Sequence, residues 1–442
     1  MLRLVACGDA LFSSRNLASR LDRRLVDHLR GADAAFANAE FCCPRPDTPP
    51  ALRRWTTAVR AEALDELADL NIRLVSFANN HTGDFGPQGV LDTIAAAESR
   101  NLIACGIGRS LYEARAARFL DTPNGRIGIV AACTTRADIF AASAPGTGVV
   151  ARPGLNPLRF GRAYVLPERE FEQLRAIDEL LGTGPARREV AGVEVMKDAG
   201  PDKFAFGSVF EGALPIERGE HAHVRYFMNE RDCEAILRNV RDAAARSDHV
   251  VMSLHTHEGA AENWYAPRVA SFVEDFAQRA IDAGASAVLC HGAHLLRGIG
   301  FHKGRPIFYS LGSLLMEFEA GEQVMTPEMY DGFGFDRDSL PSDIHGSRVQ
   351  DASGKRIGFY GDKRFSRNII ATCDFTAEGV AVRLLPIDLD LNRDRPAERG
   401  VPYWPSPEEA RAICDDMQRL SAFYATRIEF DATDGSIVVR PA

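Results

Sequence analysis

Lysine is scarce in this chain: of the 52 basic residues only Lys197, Lys203, Lys303, Lys355 and Lys363 are lysine, which leaves 47 arginines. Genome composition accounts for such a bias; the other reading is an arginine-lined site for carboxylate or phosphate, which a planar guanidinium fork suits. A basic excess is missing too, because 61 acidic residues bring the net charge to -9. Without a whole-chain basic field nothing drives counterion release from a phosphate backbone, so nucleic acid is excluded as the main partner. No apolar run approaches the roughly 18 residues that a bilayer demands, and no membrane insertion is expected. The first residues carry only a short apolar run before Gly8-Asp9, without the apolar core and cleavage site of a signal peptide. The nine Cys are an odd count with no Cys-x-x-Cys pair, so the thiols read as reduced and buried and the chain as cytoplasmic.

Several catalytic signatures are absent as well. There is no Gly-x-x-x-x-Gly-Lys-Ser/Thr phosphate loop and no Gly-x-Ser-x-Gly elbow. His257-Glu258 lacks the second His of a zincin helix, because Ala261 stands where it would fall. Gly106-Ile107-Gly108 is a dinucleotide fingerprint without its third Gly.

What is present is an ordinary globular composition, 45% hydrophobic and 26% charged over 442 residues, which allows a sizeable core. Short β-rich runs at Leu2 to Cys7, Ala34 to Ala37, Arg73 to Ala78, Leu102 to Cys105 and Ile127 to Ala132 alternate with helical periodicity at Arg15 to Arg30, Ala58 to Leu70 and Pro87 to Arg100. The alternation predicts an α/β fold. It breaks at about 151–231, read as an insertion with one clear helix (Pro167 to Leu181) and no period over Gly200 to Gly219. It resumes with strands at His249 to Leu254, Ser286 to Cys290 and Pro306 to Leu311 around a helix at Pro267 to Ala283. A second irregular stretch, about 316–361, reads as a long loop over the site. The expected organisation is one domain over 1–390, followed by a C-terminal helix and β-hairpin packed on it over 391–442.

Residues able to hold a metal stand at the ends of these strands. Asp9 follows the first, Asn38 and Glu40 the second, Asn79, Asn80 and His81 the third, and His255 with His257, then His291 with His294, follow two later ones. Ligands bind in the crevice beyond the carboxyl ends of strands in open α/β sheets, so five strand ends deliver Asp, Glu, Asn and His to one place. Singly, each has a plainer role: Asp9 as a helix cap, Asn79-Asn80 as a turn, a lone His as a structural group. Jointly, hard oxygens mixed with imidazole suit Mn, Fe or Zn.

The segments Gly8-Asp9, Asn38-Ala39-Glu40, Ala78-Asn79-Asn80-His81-x-x-Asp84-x-Gly86, Ser253-Leu254-His255, His291-Gly292-Ala293-His294 and Pro306 to Gly312 together resemble the CapA family of capsule or poly-γ-glutamate synthesis proteins. The resemblance covers about residues 2 to 315. It implies a branch of the calcineurin-like metallophosphoesterases, a four-layer α/β/β/α sandwich holding one or two divalent metals. On that resemblance Asp9 binds one metal, Glu40 bridges, Asn80 and His255 bind the other, and His291 and His294 give one ligand to each. His81 becomes the catalytic acid, oriented by Asp84. The phosphoesterase pattern is broken twice: Leu11 stands where Asp-x-His has its His, and the closing pair is His-x-x-His.

Metal-activated water attacking a phosphoester or an amide of γ-glutamyl type is the expected reaction. A non-catalytic accessory protein that binds an anionic polymer is the alternative. His257 and Glu258 are read as supports of His255, Asn38 as a further site residue, and Arg15, Arg45 and Arg297 as candidate binders of an anionic substrate.

Overall fold

The computed structural model describes residues 1–53, 55–194, 200–208, 210, 212–317 and 323–442. Strand β1 (Leu2–Leu11) is buried almost throughout, as a run of Leu, Val, Ala and Cys with no alternation predicts for a central strand covered on both faces. It pairs in parallel with β2 (Ala34–Ala39), and β2 with β3 (Ile72–Ser76). Its first half also pairs antiparallel with Arg367–Phe375, while Asp9, Ala10 and Leu11 pair with Ser313–Met316. The exchange of partners falls at Gly8, where an added Cβ would lie 1.9 Å from the carbonyl oxygen of Gly312. Only glycine permits that approach, and the Asp9 amide then donates to the same carbonyl at 2.9 Å. Nine strands complete this sheet; Thr426–Phe430 and Ile437–Pro441 continue it beyond Val380–Asp388.

A six-stranded sheet is built around β4 (Gly125–Cys133), β5 (His249–Thr256) and β6 (Ala287–Gly292), all parallel. Its residues divide by period two. Ile127, Ile129, Val251 and Leu289 share a core with the first sheet, whereas Val130, Val250, Met252 and Val288 pack with helices α4 (Glu230–Ala244) and α5 (Ser271–Asp282). Helices α1 (Arg23–Arg30), α2 (Ala63–Asp69) and α3 (Gly86–Glu98) cover the outer face of the first sheet through Leu25, Leu67 and Ile94. The result is the α/β/β/α sandwich expected. Both sheets turn the carboxyl ends of parallel strands the same way, which brings ligand residues of two sheets together.

Three stretches differ from expectation. The helix read from Ala58 is a two-residue strand, Ala58–Val59, before α2 begins at Ala63; the Val59 amide donates to the Cys42 carbonyl at 3.0 Å, a tertiary bond that overrides the local period. The period-free part of the insertion holds strands Lys203–Phe206 and Leu214–Arg218, which join Phe160–Leu166 and His223–Met228 in a four-stranded sheet. Both strands are mostly half-exposed, so neither carries a clean apolar face. Residues 327–361 of the second irregular stretch form three short helices rather than an open loop, while 318–322 lie outside the described residues.

Candidate metal centre

Asp9 at the end of β1 is completely buried, with its carboxylate held from three sides. Asn38 Nδ2 and the Gly292 amide donate to it at 2.8 and 2.9 Å, and the Nδ1 atoms of His291 and His294 lie at 3.3 and 3.2 Å. Asn38 is itself fixed by Asn79 Nδ2 at 3.2 Å. His255 faces both ways: Nδ1 lies 3.2 Å from His291 Nδ1, and Nε2 lies 2.7 Å from Asn80 Oδ1 and 3.9 Å from Glu40 Oε1. Glu40 Oε1 in turn stands 3.9 Å from His257 Nε2 and 3.6 Å from His294 Nε2.

Two three-residue sets emerge, Asp9 with His255 and His291, and Glu40 with His257 and His294. The backbone is adapted to them. His294 adopts a left-handed φ of 57°, and Gly292 has φ of 119°, where a Cβ would come within 3.0 Å of both His255 and His257.

A cation fits this donor set. Both oxygens of Glu40 and Nε2 of His257 are buried without a hydrogen-bond partner among the described residues, which costs free energy unless something else binds them. Burial pushes Asp9 upward, but the bonds from His291 and His294 hold it well below the usual carboxylate range. Burial, and then the Asp9 charge, push Glu40 well above it. Burial and the neighbouring imidazoles push His255 and His257 down, keeping both neutral and able to donate lone pairs.

Beside the two sets, His81 Nδ1 bonds Asp84 Oδ2 at 2.7 Å, and His81 Nε2 faces Thr57 Oγ1 at 3.4 Å. Asp84 is anchored by Arg53 Nη1 at 2.7 Å and the Thr57 amide at 2.7 Å, and Arg53 also reaches the Asn80 carbonyl. Glu258 accepts from Thr134, Thr135 and Thr256, and the His257 amide donates to Thr135 Oγ1 at 2.9 Å, so the turn after β5 is pinned.

The candidate anion binders end up elsewhere. Arg297 is fully buried and donates to the carbonyls of His257, Trp264 and Ala266, so it braces the His257 turn instead of meeting substrate. Arg15 pairs with Glu62, and Arg45 with Asp47 and Asp92; neither lines the cavity over the centre. That cavity, about 170 Å³, is walled by Glu40, Asn80, His81, His257, His294 and Leu11, with Trp55, Trp264, Tyr265, Phe359, Arg136 and Arg348. Sequence reasoning missed the last six, which come from turns and short helices without a period. His257, read as a support, stands among the possible ligands; its spacing of two from His255 was the available signal.

Strand ends from two stacked sheets that converge on buried carboxylates and imidazoles define an α/β/β/α sandwich with a candidate metal centre. Residues 3–317 match the family described as bacterial capsule synthesis protein PGA_cap, and the chain belongs to that family. An uncharacterised protein of Sinorhizobium fredii is 32% identical over 98% of this chain and 92% of its own. A probable polyglutamine synthesis accessory protein of Mycobacterium tuberculosis is 26% identical over 71% of this chain and 60% of its own. Among solved structures, a hypothetical protein from Thermus thermophilus aligns with a TM-score of 0.39 and 13% identity over 88% of this chain and 99% of its own. No described helix is long and apolar enough to cross a membrane.

Proposed function

We propose that the chain is a metal-dependent hydrolase acting on a phosphoester or on an amide of γ-glutamyl type. The observation that carries this reading is the convergence of Glu40 Oε1 and Oε2 and His257 Nε2, all buried and without a hydrogen-bond partner among the described residues, on imidazoles within about a metal-ligand span. Asp9, Asn80, His255 and His291 would hold one ion, and Glu40, His257 and His294 a second, with Mn, Fe or Zn suited to that oxygen and nitrogen mix. A divalent ion held there would supply a water of lowered pKa and polarise the attacked group.

The chain's own residues supply the rest. The contact of Asp84 with His81 Nδ1 orients the ring, so that Nε2, 3.4 Å from Thr57 Oγ1 and facing the cavity, would pass a proton to a leaving oxygen or nitrogen. Arg53 Nη1, 2.7 Å from Asp84 Oδ1, holds that carboxylate in place. Trp55, Trp264 and Phe359 add aromatic surface to the cavity wall.

The accessory name of the mycobacterial relative favours a second reading, binding without turnover. Elemental analysis of protein prepared without chelator or nickel, joined to a screen of phosphoesters and γ-glutamyl amides, separates the two. Bound metal with turnover that falls about 10² to 10⁴-fold in His81→Ala, at unchanged metal content, supports the hydrolase. Full activity in that variant removes His81 from its role, and metal without turnover across the screen favours the binding reading.

A further inference from the structure

Three cavities meet over the centre. The 170 Å³ cavity shares Arg136 and Trp264 with one of about 760 Å³ beside the insertion, and shares Tyr265, Arg348 and Phe359 with one of about 490 Å³ under residues 347–365. Arginines line all three, yet they are not equivalent. Arg159 pairs with Asp232, Arg162 with Glu262 and Arg364 with Asp362, and Arg53 is taken up by Asp84. Arg136 and Arg348 form no ion pair with any carboxylate among the described residues, and they are the two that stand at the junctions.

Arg348 is held by aromatic rings and not by an acid, while Arg136 is exposed at the rim. The Arg348 guanidinium carbon lies 4.3 Å from the Trp55 ring centroid and 5.8 Å from that of Phe333. Stacking by the face leaves the N–H edge of the fork open. Burial pushes the pKa of Arg348 down, so the cation is kept there at a cost that a bound anion would offset. Arg136 sits two residues into the turn after β4 with a left-handed φ of 53°, a backbone conformation that non-glycine residues hold chiefly where the surroundings demand it.

We propose that Arg136 and Arg348 form an anion clamp across the cavity above the ligand cluster, and that the substrate is therefore a compact oxyanion, phosphate or carboxylate, gripped by a guanidinium from either side. The proposal rests on reading this cavity as the active site. Arg348 comes from residues 327–361, beyond the stretch that matches the family, whereas Arg136 lies within it.

The test is calorimetric titration of inorganic phosphate, and separately glutarate, into the full chain, first metal-free and then with Mn(II) restored. Arg348→Met and Arg136→Met should each weaken phosphate binding about tenfold or more in both states. Arg348→Lys should recover only part, because a point charge does not replace the fork. Arg364→Met should change nothing, and metal content and unfolding midpoints should stay at wild-type values in all four. Tighter glutarate binding with the same arginine dependence supports the clamp and makes carboxylate its ligand. Equal affinity in wild type and both Met variants, or no binding of either anion, overturns it. A chain that takes up no metal overturns the hydrolase reading, while the metal-free titration still decides the clamp.

Discussion

Two strands from opposite sheets end at the centre, and each offers a pair of residues spaced by two, so that both side chains leave on one face. On β1 the pair is Asp9 and Leu11; after β5 it is His255 and His257. Leu11 and His257 wall the same cavity, yet one presents methyl groups and the other an imidazole whose Nε2 is buried without a hydrogen-bond partner among the described residues. The difference teaches that donors are to be counted over the cavity and not motif by motif. What β1 lacks at position 11, the second sheet provides at 257.

The contrast is broken most thoroughly at His255, which faces Asp9, His291, Asn80 and Glu40 together. His255→Ala should lower metal affinity by more than the about 100-fold that marks loss of an outer partner, read as metal per chain after equilibration in chelator-buffered Mn or Zn. His257→Ala comes next and sharpens it. An effect of about 100-fold or more, confined to one ion per chain, is expected of a ligand. A loss of only about tenfold, spread over both ions, would make it a support of His255.

Gly292→Ala should act first on the β5 pair, and through the Gly292 amide on Asp9. The added Cβ lies within 3.0 Å of His255 and His257, and φ of 119° is unsuited to alanine. A loss of about 1–3 kcal/mol in chemical denaturation is expected, with weakened metal uptake. Stability unchanged in that variant would show that the two imidazoles yield freely, against the geometry described.

How much of this was legible depends on where each residue's position is decided. Asp9, Glu40, Asn80, His255, His291 and His294 could be read because apolar runs such as Leu2 to Cys7 mark buried parallel strands, and the first polar residues beyond them must sit at the carboxyl ends. The alternation gave the α/β class, while the four layers came from the family resemblance. Whether Arg297 supports the site or meets substrate was not legible, because its neighbours in sequence say nothing of the carbonyls of His257, Trp264 and Ala266 that close over it. Trp55, Arg136 and Arg348 were silent for a similar reason: they lie on turns or beside a six-residue helix, where tertiary contacts and not a local period set direction. The insertion strands failed on amphipathicity, since Leu214 and Pro215 are exposed and Lys203–Phe206 buries no residue fully.

The smallest change is the most discriminating. Leu11 is 2% exposed at the end of β1, its carbonyl accepts from the Glu317 amide at 2.8 Å, and its side chain meets the cavity that Glu40, His257 and His294 share. Leu11→His puts an imidazole two residues from Asp9 on the face already turned to the centre, so in the wild-type background, where His257 serves, metal affinity should change little. In the His257→Ala background the same change should recover about tenfold of the lost affinity, because it returns a donor to the side of the cavity from which one was taken. The pair of effects forms a double-mutant cycle with a coupling set by the shared ion, and metal content reads it without reference to any substrate. Equal effects of Leu11→His in both backgrounds would mean that positions 11 and 257 serve different ions, and the exchange of a donor between the two sheets would have to be given up.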